Sequence, residues 1–314
     1  MKKKLVAGVV TLLSVVTLAA CANGTNKDIV TMKGDTITVS DFYDEIKTNQ
    51  GAQQVLFQMT INKVFEKEYG SKVSDKEVDK ELAKQKKQLG NQFDAYLAQQ
   101  GLTEETAKKQ IRSNMLLEYA VSQAAKKDIK ESDYKTAFES YTPEVTAQII
   151  KLDSEDKAKE VLEAAKAEGA DFAKIAKDNS TDTATKDKGG EVKFDSGTAD
   201  IPSQVKEAAF KLDENGISDV ITVSAGQNYS ASYYIVKLNK KTEKGSDWKK
   251  YEKRLKEIII EGRKQDTNYI RSIIAKAMTN ANIKVKDDAF KSTFNQYLQN
   301  IGVETSDSSS SSKK

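Results

Sequence analysis

The side chains that could do chemistry in this 314-residue chain are limited, because it has no histidine and a single cysteine, Cys21. Zinc sites built from histidine or cysteine, and nucleophiles activated by a histidine base, are therefore excluded. A disulfide within the chain is excluded as well. Carboxylate chemistry remains open, and we expect neither a metal site nor a cofactor.

Cys21 stands at the end of a secretion signal. Lys2-Lys3-Lys4 precedes an uncharged apolar stretch, residues 5–20, which ends in Leu18-Ala19-Ala20 directly before the cysteine. This order is typical of a signal peptide, and the apolar stretch is too short to span a bilayer comfortably. The junction resembles the lipobox of bacterial lipoproteins, so we expect residues 1–20 to be removed and a diacylglyceryl group to join the Cys21 thiol. The alternative is an ordinary signal peptide in which the cysteine is incidental.

The net charge of the chain also lies in this signal. The formal net charge is +3, and the three lysines at positions 2–4 account for all of it, so residues 21–314 are neutral as a whole. A neutral chain offers no electrostatic footprint for nucleic acid and no polybasic patch for a membrane surface. We therefore expect no nucleic-acid partner.

The N-terminal third predicts a polar tether, a small hairpin and then helices. Residues 21–27 form the tether, and residues 29–39 contain two short β-prone segments around a glycine turn. Ser40 is placed to cap the next helix, and Ser74-Asp75-Lys76-Glu77 matches a capping box. We expect residues 28–142 to form the first part of a mainly helical lobe.

The sequence pattern changes at Pro143, one of only two prolines in the chain. A proline drives the residue before it out of the helical region, so we place a domain boundary there. Residues 145–150 predict a strand, two helical stretches follow, and residues 219–223 and 232–238 predict the two strands of a hairpin. Strands at both ends with helices between them indicate a compact α+β domain over residues 143–240.

A helical pattern returns in residues 241–304. Its apolar stripe must be buried, and the N-terminal helices are the natural partner. The stripe comprises Trp248, Tyr251, Leu255, Ile258 and Ile259. We therefore predict an α+β fold in which a compact domain, an antiparallel sheet with helices, is inserted into a helical lobe built from both ends of the chain. The serine-rich residues 305–314 are expected to be disordered.

The middle domain resembles a parvulin, a member of the smallest family of peptidyl-prolyl isomerases. The matching segments follow one another in the family's order and spacing over residues 145–238. They are Ala147-Gln148-Ile149-Ile150, Gly169-Ala170-Asp171-Phe172-Ala173, Asn179-Ser180-Thr181-Asp182, Gly189-Gly190-Glu191-Val192, Ala208-Ala209-Phe210-Lys211-Leu212 and Gly216-Ile217-Ser218-Asp219-Val220. The resemblance implies rotation about bonds that precede proline.

The departures from the family pattern fall on the implied site. Active parvulins resemble one another in two facing histidines, a nearby Asp or Cys, and an apolar Met and Phe for the proline ring. Gln148 and Tyr234 stand at the positions expected for the histidines, and Asp182 is retained. These three are the implied catalytic residues, although Asp182 could equally be a turn residue that bonds its own backbone. The implied proline pocket consists of Phe194, Ile201, Val205 and Phe210, with Ile201 and Val205 replacing the Met and Phe.

With the lipobox before it and helical arms on both sides, the whole chain resembles the foldase lipoproteins of Gram-positive bacteria. This resemblance implies a protein anchored by its lipid on the extracytoplasmic face of the cell membrane, with unfolded or newly secreted polypeptides as partners, and it allows a homodimer. We expect a folding helper whose isomerase activity is degraded. The alternatives are a fully active isomerase that dispenses with the histidines and a solute-binding or adhesive lipoprotein. The last lacks support, because the chain shows no repeats and no pair of doubly wound lobes.

Overall fold

The computed structural model describes residues 27–225 and 230–298. The predicted signal peptide, Cys21, nearly all of the predicted tether and the serine-rich tail lie outside the described residues. Within the described ranges, no helix is both long and apolar enough to cross a membrane. The chain divides into two compact units, one formed by the residues up to 64 together with those from 275, and one formed by residues 65–274.

The first unit begins with a hairpin that leads directly into a helix. Strands β1 (Asp28–Met32) and β2 (Asp35–Thr38) pair antiparallel, as predicted, and helix α1 (Val39–Ile46) follows without a loop. The helix cap is Thr38 and not Ser40: the Asp41 amide donates to Thr38 Oγ1 at 3.2 Å, and the Thr38 amide donates to the Asp41 carboxylate at 2.9 Å. The prediction for Ser40 was wrong because β2 ends where the reciprocal Thr–Asp pair starts the helix, which places Ser40 inside the first turn.

Aromatic rings form the interior of the first unit. Helix α2 (Gln50–Tyr69) supplies Phe57, and helix α12 (Lys291–Leu298) supplies Phe294 and Tyr297. The Phe57 ring lies 5.5 Å from the Phe294 ring in an edge-on contact and 4.3 Å from the Tyr297 ring in a stacked one. Helix α12 is therefore packed against α2, so this unit combines segments that are distant in the sequence.

Two helices of the second unit begin at capping boxes, and the one at Ser74 was predicted from the sequence. Helix α3 (Asp75–Leu89) follows the Ser74–Glu77 capping box, and helix α5 (Glu104–Asp128) follows the equivalent box at Thr103. Helices α4 (Phe93–Gln99) and α6 (Glu131–Ser140) complete the segment before Pro143. Local hydrogen bonding between a hydroxyl and the first-turn amides is enough to specify these starts.

The apolar stripe of the C-terminal segment is buried within this second unit. Helix α10 (Glu252–Gln265) packs against α5 and α6, Leu255 is fully buried, and Trp248 stacks on Tyr134 with ring centroids 5.0 Å apart. Helix α11 (Thr267–Asn280) follows. The predicted domain boundaries at residues 142/143 and 240/241 fall inside this unit, and they remain predictions.

A four-stranded antiparallel sheet with helices on both faces occupies the middle of the second unit. Its strands are β3 (Val145–Leu152), β4 (Glu191–Phe194), β5 (Ile221–Ala225) and β6 (Ser230–Lys240), in the order β4-β3-β6-β5. Helices α7 (Glu155–Lys166) and α8 (Phe172–Asn179) cover one face, and α9 (Ser203–Lys211) covers the other. The predicted α+β class is confirmed. The strand pattern did not predict β4, whose four residues are too few to show an alternation.

Candidate functional site

The face of the sheet under α9 carries most of the implied site. Strand β3 contributes Val145, Ala147 and Ile149 to this face, and β6 contributes Val236 and Leu238. The implied pocket residues all pack into the same cluster, namely Phe194, Ile201, Val205 and Phe210. The structure therefore brings together the four side chains that the resemblance grouped.

Those four side chains fill the pocket rather than line an open slot. Phe194 is 1% exposed and Val205 is 0% exposed, and the rings of Phe194 and Phe210 lie 5.8 Å apart. Ile201 and Phe210 are partly buried at the margin of the cluster. A proline ring could contact the marginal pair, but Phe194 and Val205 have no free surface to offer it.

Tyr234 lies on this same face. It is half-buried, it packs against the cluster, and its strand neighbour on β3 is Lys151. A phenol at this position can donate or accept one hydrogen bond, whereas a histidine could also carry a positive charge. The sequence-based placement of Tyr234 on the site face is consistent with this geometry.

Gln148 lies on the opposite face of the sheet. Side chains alternate along a strand, so Gln148 shares its side with Ile150 and Leu152, which pack under α7 and α8. Its Nε2 donates to the carbonyl of Gly189 at 2.9 Å, next to β4. The register of β3 against β6 therefore places the side chains of Gln148 and Tyr234 on opposite faces of the sheet, and the assignment of both to the catalytic site stays a prediction.

Ile149 on β3 packs into the same cluster as Tyr234, and the sequence reasoning missed it. It pairs with Val236, two residues along β6 from Tyr234, and is 3% exposed. Counting alternation back from the buried Val145 would have indicated it, since residues 145, 147 and 149 point the same way apart from a bulge near Thr146. An isoleucine supplies no hydrogen bond at this position, and the direct β3 neighbour of Tyr234 on the same face is Lys151.

The carboxylate of Asp182 is used within its own turn. Oδ1 accepts from the amide of Ala184 at 3.1 Å, and Oδ2 accepts from the hydroxyl of Thr185 at 2.6 Å. The carbonyl of Asp182 accepts in addition from the amide of Lys186 at 2.9 Å. Both carboxylate oxygens therefore stabilise the loop after α8, which is the turn role that the sequence left open for this residue.

A buried ion pair joins the sheet to the C-terminal helix, and it was not predicted. The guanidinium of Arg254 on α10 donates from Nε and Nη2 to the two carboxylate oxygens of Asp195, at 2.6 and 2.8 Å. The Tyr141 hydroxyl donates to the same carboxylate at 3.1 Å, as does the hydroxyl of Thr198 at 3.0 Å. Asp195 follows β4 immediately, so the pair fixes the end of this edge strand against α10.

The pKa values around Asp195 follow from this arrangement. Burial acts to raise the pKa of the Asp195 carboxyl, but the hydrogen bonds from Arg254 and Thr198 outweigh it, so the pKa lies below its ordinary value. Burial together with the negative charge of Asp195 raises the pKa of the Tyr141 phenol. The carboxylate thus remains charged at neutral pH although it is buried. Elsewhere in the described ranges, no cluster of acidic side chains is arranged to hold a metal ion.

Comparison with known proteins agrees with this geometry. The family model described as "Rotamase: PPIC-type PPIASE domain" matches residues 141–240. The foldase protein PrsA of Streptococcus sanguinis is 62% identical over 302 residues, which cover 96% of this chain and 90% of that protein. The PrsA of Streptococcus gordonii is 59% identical over the full length of both chains.

Solved structures show the same relationship. The crystal structure of the foldase protein PrsA from Streptococcus pneumoniae is 54% identical and superposes with a TM-score of 0.81, covering 86% of this chain and 99% of that one. The PrsA structure from Lactococcus lactis is 39% identical with a TM-score of 0.64 and covers 87% and 99% of the two chains. Given this sequence identity and shared fold, the chain belongs to the PrsA family of foldase proteins, with a parvulin-type domain at residues 141–240.

Proposed function

We propose that this foldase assists newly secreted polypeptides at the extracytoplasmic face of the cell membrane, and that its parvulin-type domain isomerises prolyl bonds weakly or not at all. The observation that carries the second part is the site face of the sheet. Ile149 on β3 and Tyr234 on β6 both pack into the cluster under α9, and neither provides an imidazole. The folding role in turn rests on membership of the foldase family.

The chemistry of isomerisation explains why this face of the sheet should catalyse the rotation of prolyl bonds only slowly. Rotation about a prolyl bond has a barrier of about 18–20 kcal/mol. A catalyst lowers it by stabilising the twisted amide with placed hydrogen bonds in an apolar setting. Here the apolar setting is filled by Phe194 and Val205, the β3 position is aliphatic, and the carboxylate of Asp182 is occupied by its own loop.

A working isomerase is the second candidate. The half-buried phenol of Tyr234 favours it, since that group remains on the site face and could donate one hydrogen bond to the amide. The two proposals differ in what Tyr234→Phe should do. Loss of turnover in that variant would support catalysis through the phenol, whereas an unchanged, low turnover supports the degraded domain.

The test measures two activities on the same protein. The lipid-free chain from Ala22 is assayed for isomerisation of a prolyl peptide and, separately, for suppression of aggregation of an unfolded protein. We expect aggregation to be suppressed with isomerase turnover near the uncatalysed rate. High turnover in the wild type that collapses in Asp182→Ala, together with lost folding assistance, would contradict the proposal.

The anchor is the remaining part of the proposal. The supporting observation is the Leu18-Ala19-Ala20-Cys21 junction at the end of a basic and apolar leader. Two acyl chains hold a protein at a membrane where one is marginal, at about 0.8 kcal/mol for each buried methylene. Cys21→Ala should therefore release the protein or leave it unprocessed, whereas normal processing and retention would contradict the lipid anchor. Sedimentation velocity of the lipid-free chain tests the homodimer, which stays a prediction.

A further inference from the structure

An apolar groove opens on the surface of the first unit. Its volume is about 750 Å³, and it lies between α1, the first part of α2 and residues 282–287, which follow α11. Phe290 and Phe294 are buried at its base, while Val55 and Met59 on α2 stand 59% and 51% exposed at its edge. Large apolar side chains that are exposed together on a protein surface mark an interaction site.

The wall of the groove opposite α2 is held at both of its ends. Helix α11 is followed by the left-handed Asn282, and the Ile283 amide donates back to the Met278 carbonyl at 3.2 Å. At the other end, the Tyr43 hydroxyl of α1 donates to the Asp287 carboxylate at 2.6 Å. The groove is therefore formed before an occupant binds, so binding does not have to order its wall.

The wall between these two bonds has unpaired backbone groups. Ile283 and Val285 are half-buried, whereas Lys284 and Lys286 are exposed, which is the alternation of an extended chain. No backbone hydrogen bond joins residues 284–286 to any other described part of the chain. An extended backbone with free amides and carbonyls is a template for pairing with a second extended chain.

The rim of the groove is basic. Lys284 and Lys286 line it, and neither makes an ion pair with a carboxylate within residues 27–225 and 230–298. The one acidic residue that lines the groove, Asp287, is already engaged by Tyr43. An occupant that suits this groove has apolar side chains for the base and carboxylates for the rim.

We propose that the groove binds an extended segment of an unfolded polypeptide in which apolar and acidic residues alternate. The segment pairs with the backbone of residues 284–286 and places its apolar side chains against Phe290 and Phe294. Its carboxylates meet Lys284 and Lys286 at the rim. The proposal rests on the folding role proposed above and gives that role a binding site and a sequence preference. It depends on neither the isomerase activity nor the lipid anchor.

Pairing between extended chains explains why the two kinds of residue should alternate. Residues directly opposite each other on paired strands project to the same side. A client residue opposite Val285 therefore enters the groove, and one opposite Lys284 or Lys286 stays at the rim. Exposed charge pairs contribute little individually and are screened by salt, so the preference for carboxylates should be modest and salt-dependent.

The first test measures this preference. Three fluorescein-labelled octapeptides, in which leucine alternates with glutamate, glutamine or lysine, are titrated into the lipid-free chain and followed by fluorescence anisotropy. We expect the glutamate peptide to bind about fivefold more tightly than the glutamine peptide, and the lysine peptide most weakly. Lys284→Gln/Lys286→Gln should remove the preference, whereas the control Lys33→Gln/Lys276→Gln, which changes two exposed lysines of the same unit, should keep it. Equal affinity for all three peptides, or a preference that survives Lys284→Gln/Lys286→Gln, would overturn the proposal.

The second test locates the bound peptide. The lipid-free chain contains no cysteine, so Val55→Cys introduces one at the edge of the groove, and Tyr96→Cys introduces one at a residue of the second unit that is 44% exposed. Each variant reacts with a glutamate peptide whose central cysteine is activated as a mixed disulfide, and the rates are normalised to those with Ellman's reagent. We expect the peptide adduct to form at least about tenfold faster in Val55→Cys, because binding raises the local concentration of the peptide. Equal normalised rates would overturn the proposal. So would protection of the introduced thiol that rises with protein concentration in the absence of peptide, which assigns the groove to a second copy.

A third measurement separates the groove from the folding role. Met59→Asp places a carboxylate at the apolar edge, whereas the control Gln54→Asp places one on an exposed residue of the same helix outside the groove. We expect only Met59→Asp to lose the glutamate peptide and to suppress the aggregation of reduced α-lactalbumin less well. Equal peptide binding and equal suppression in both variants would overturn the groove and leave the folding role standing. Peptide binding that is lost only in Met59→Asp, in a protein that suppresses no aggregation, would support the groove and contradict the folding role.

Discussion

Removal of the guanidinium of Arg254 should destabilise the protein, because it leaves a buried carboxylate with fewer donors. Arg254 gives two hydrogen bonds to Asp195, at 2.6 and 2.8 Å, and Asp195 is 6% exposed. Breaking a buried pair from one side costs about 3–5 kcal/mol. Three other groups still donate to this carboxylate, from Tyr141, Gly197 and Thr198, and Arg254 itself is partly exposed, so we expect about 2 kcal/mol for Arg254→Met.

The assays are urea unfolding and thermal unfolding of the lipid-free chain, both followed by far-UV circular dichroism. A loss of about 2 kcal/mol lowers the melting temperature of a unit of this size by about 4–8 °C. Lys256→Met on the same helix is the matched control, because Lys256 is exposed and methionine has nearly the same helix propensity. The double variant Arg254→Met/Asp195→Asn should recover part of the loss, since it removes the charge that Arg254→Met leaves buried.

The pH dependence of stability tests the same ion pair independently. The pKa of Asp195 in the folded protein lies below the 3.8 of the unfolded chain, so its contribution to stability is present above about pH 4 and is lost as the pH falls through the lowered value. Without Arg254, burial raises the pKa of Asp195 relative to the wild type. Protonation in acid then removes the buried charge that destabilises the variant. The stability difference between wild type and Arg254→Met should therefore shrink below about pH 4. A difference that is under about 0.5 kcal/mol at pH 7, or that grows in acid, would refute the reasoning.

Four substitutions test the remaining assignments. Gln148→Ala should cost about 1 kcal/mol of unfolding free energy, through the lost bond to the Gly189 carbonyl, and leave isomerase turnover unchanged; a change in turnover would return Gln148 to the site. Gly190→Ala should destabilise by several kcal/mol, because the backbone has φ +78° and a Cβ would lie 2.5 Å from the carbonyl oxygen of Ile149. Thr38→Ala should cost about 1 kcal/mol and Ser40→Ala almost nothing, so equal effects in a thermal melt would contradict the cap assigned to Thr38.

The sequence alone determined the features that depend on neighbouring residues. The capping box at Ser74 consists of hydrogen bonds over three residues, so it was recognised without any tertiary contact. The strand β3 and the hairpin of β5 and β6 show their apolar pattern locally. The order of the parvulin-like segments then indicated the family, because several weak motifs at the right spacing are specific together.

The tertiary structure decided which side chains meet. Gln148 and Ile149 are adjacent in sequence, and only the register of β3 against β6 shows that the isoleucine shares a face with Tyr234. The pair between Asp195 and Arg254 joins residues 59 positions apart, and no local pattern marks either partner. A shift of one residue in a strand reverses every side chain, so the content of the site depends on pairing between distant strands, which the local pattern of any one strand leaves open.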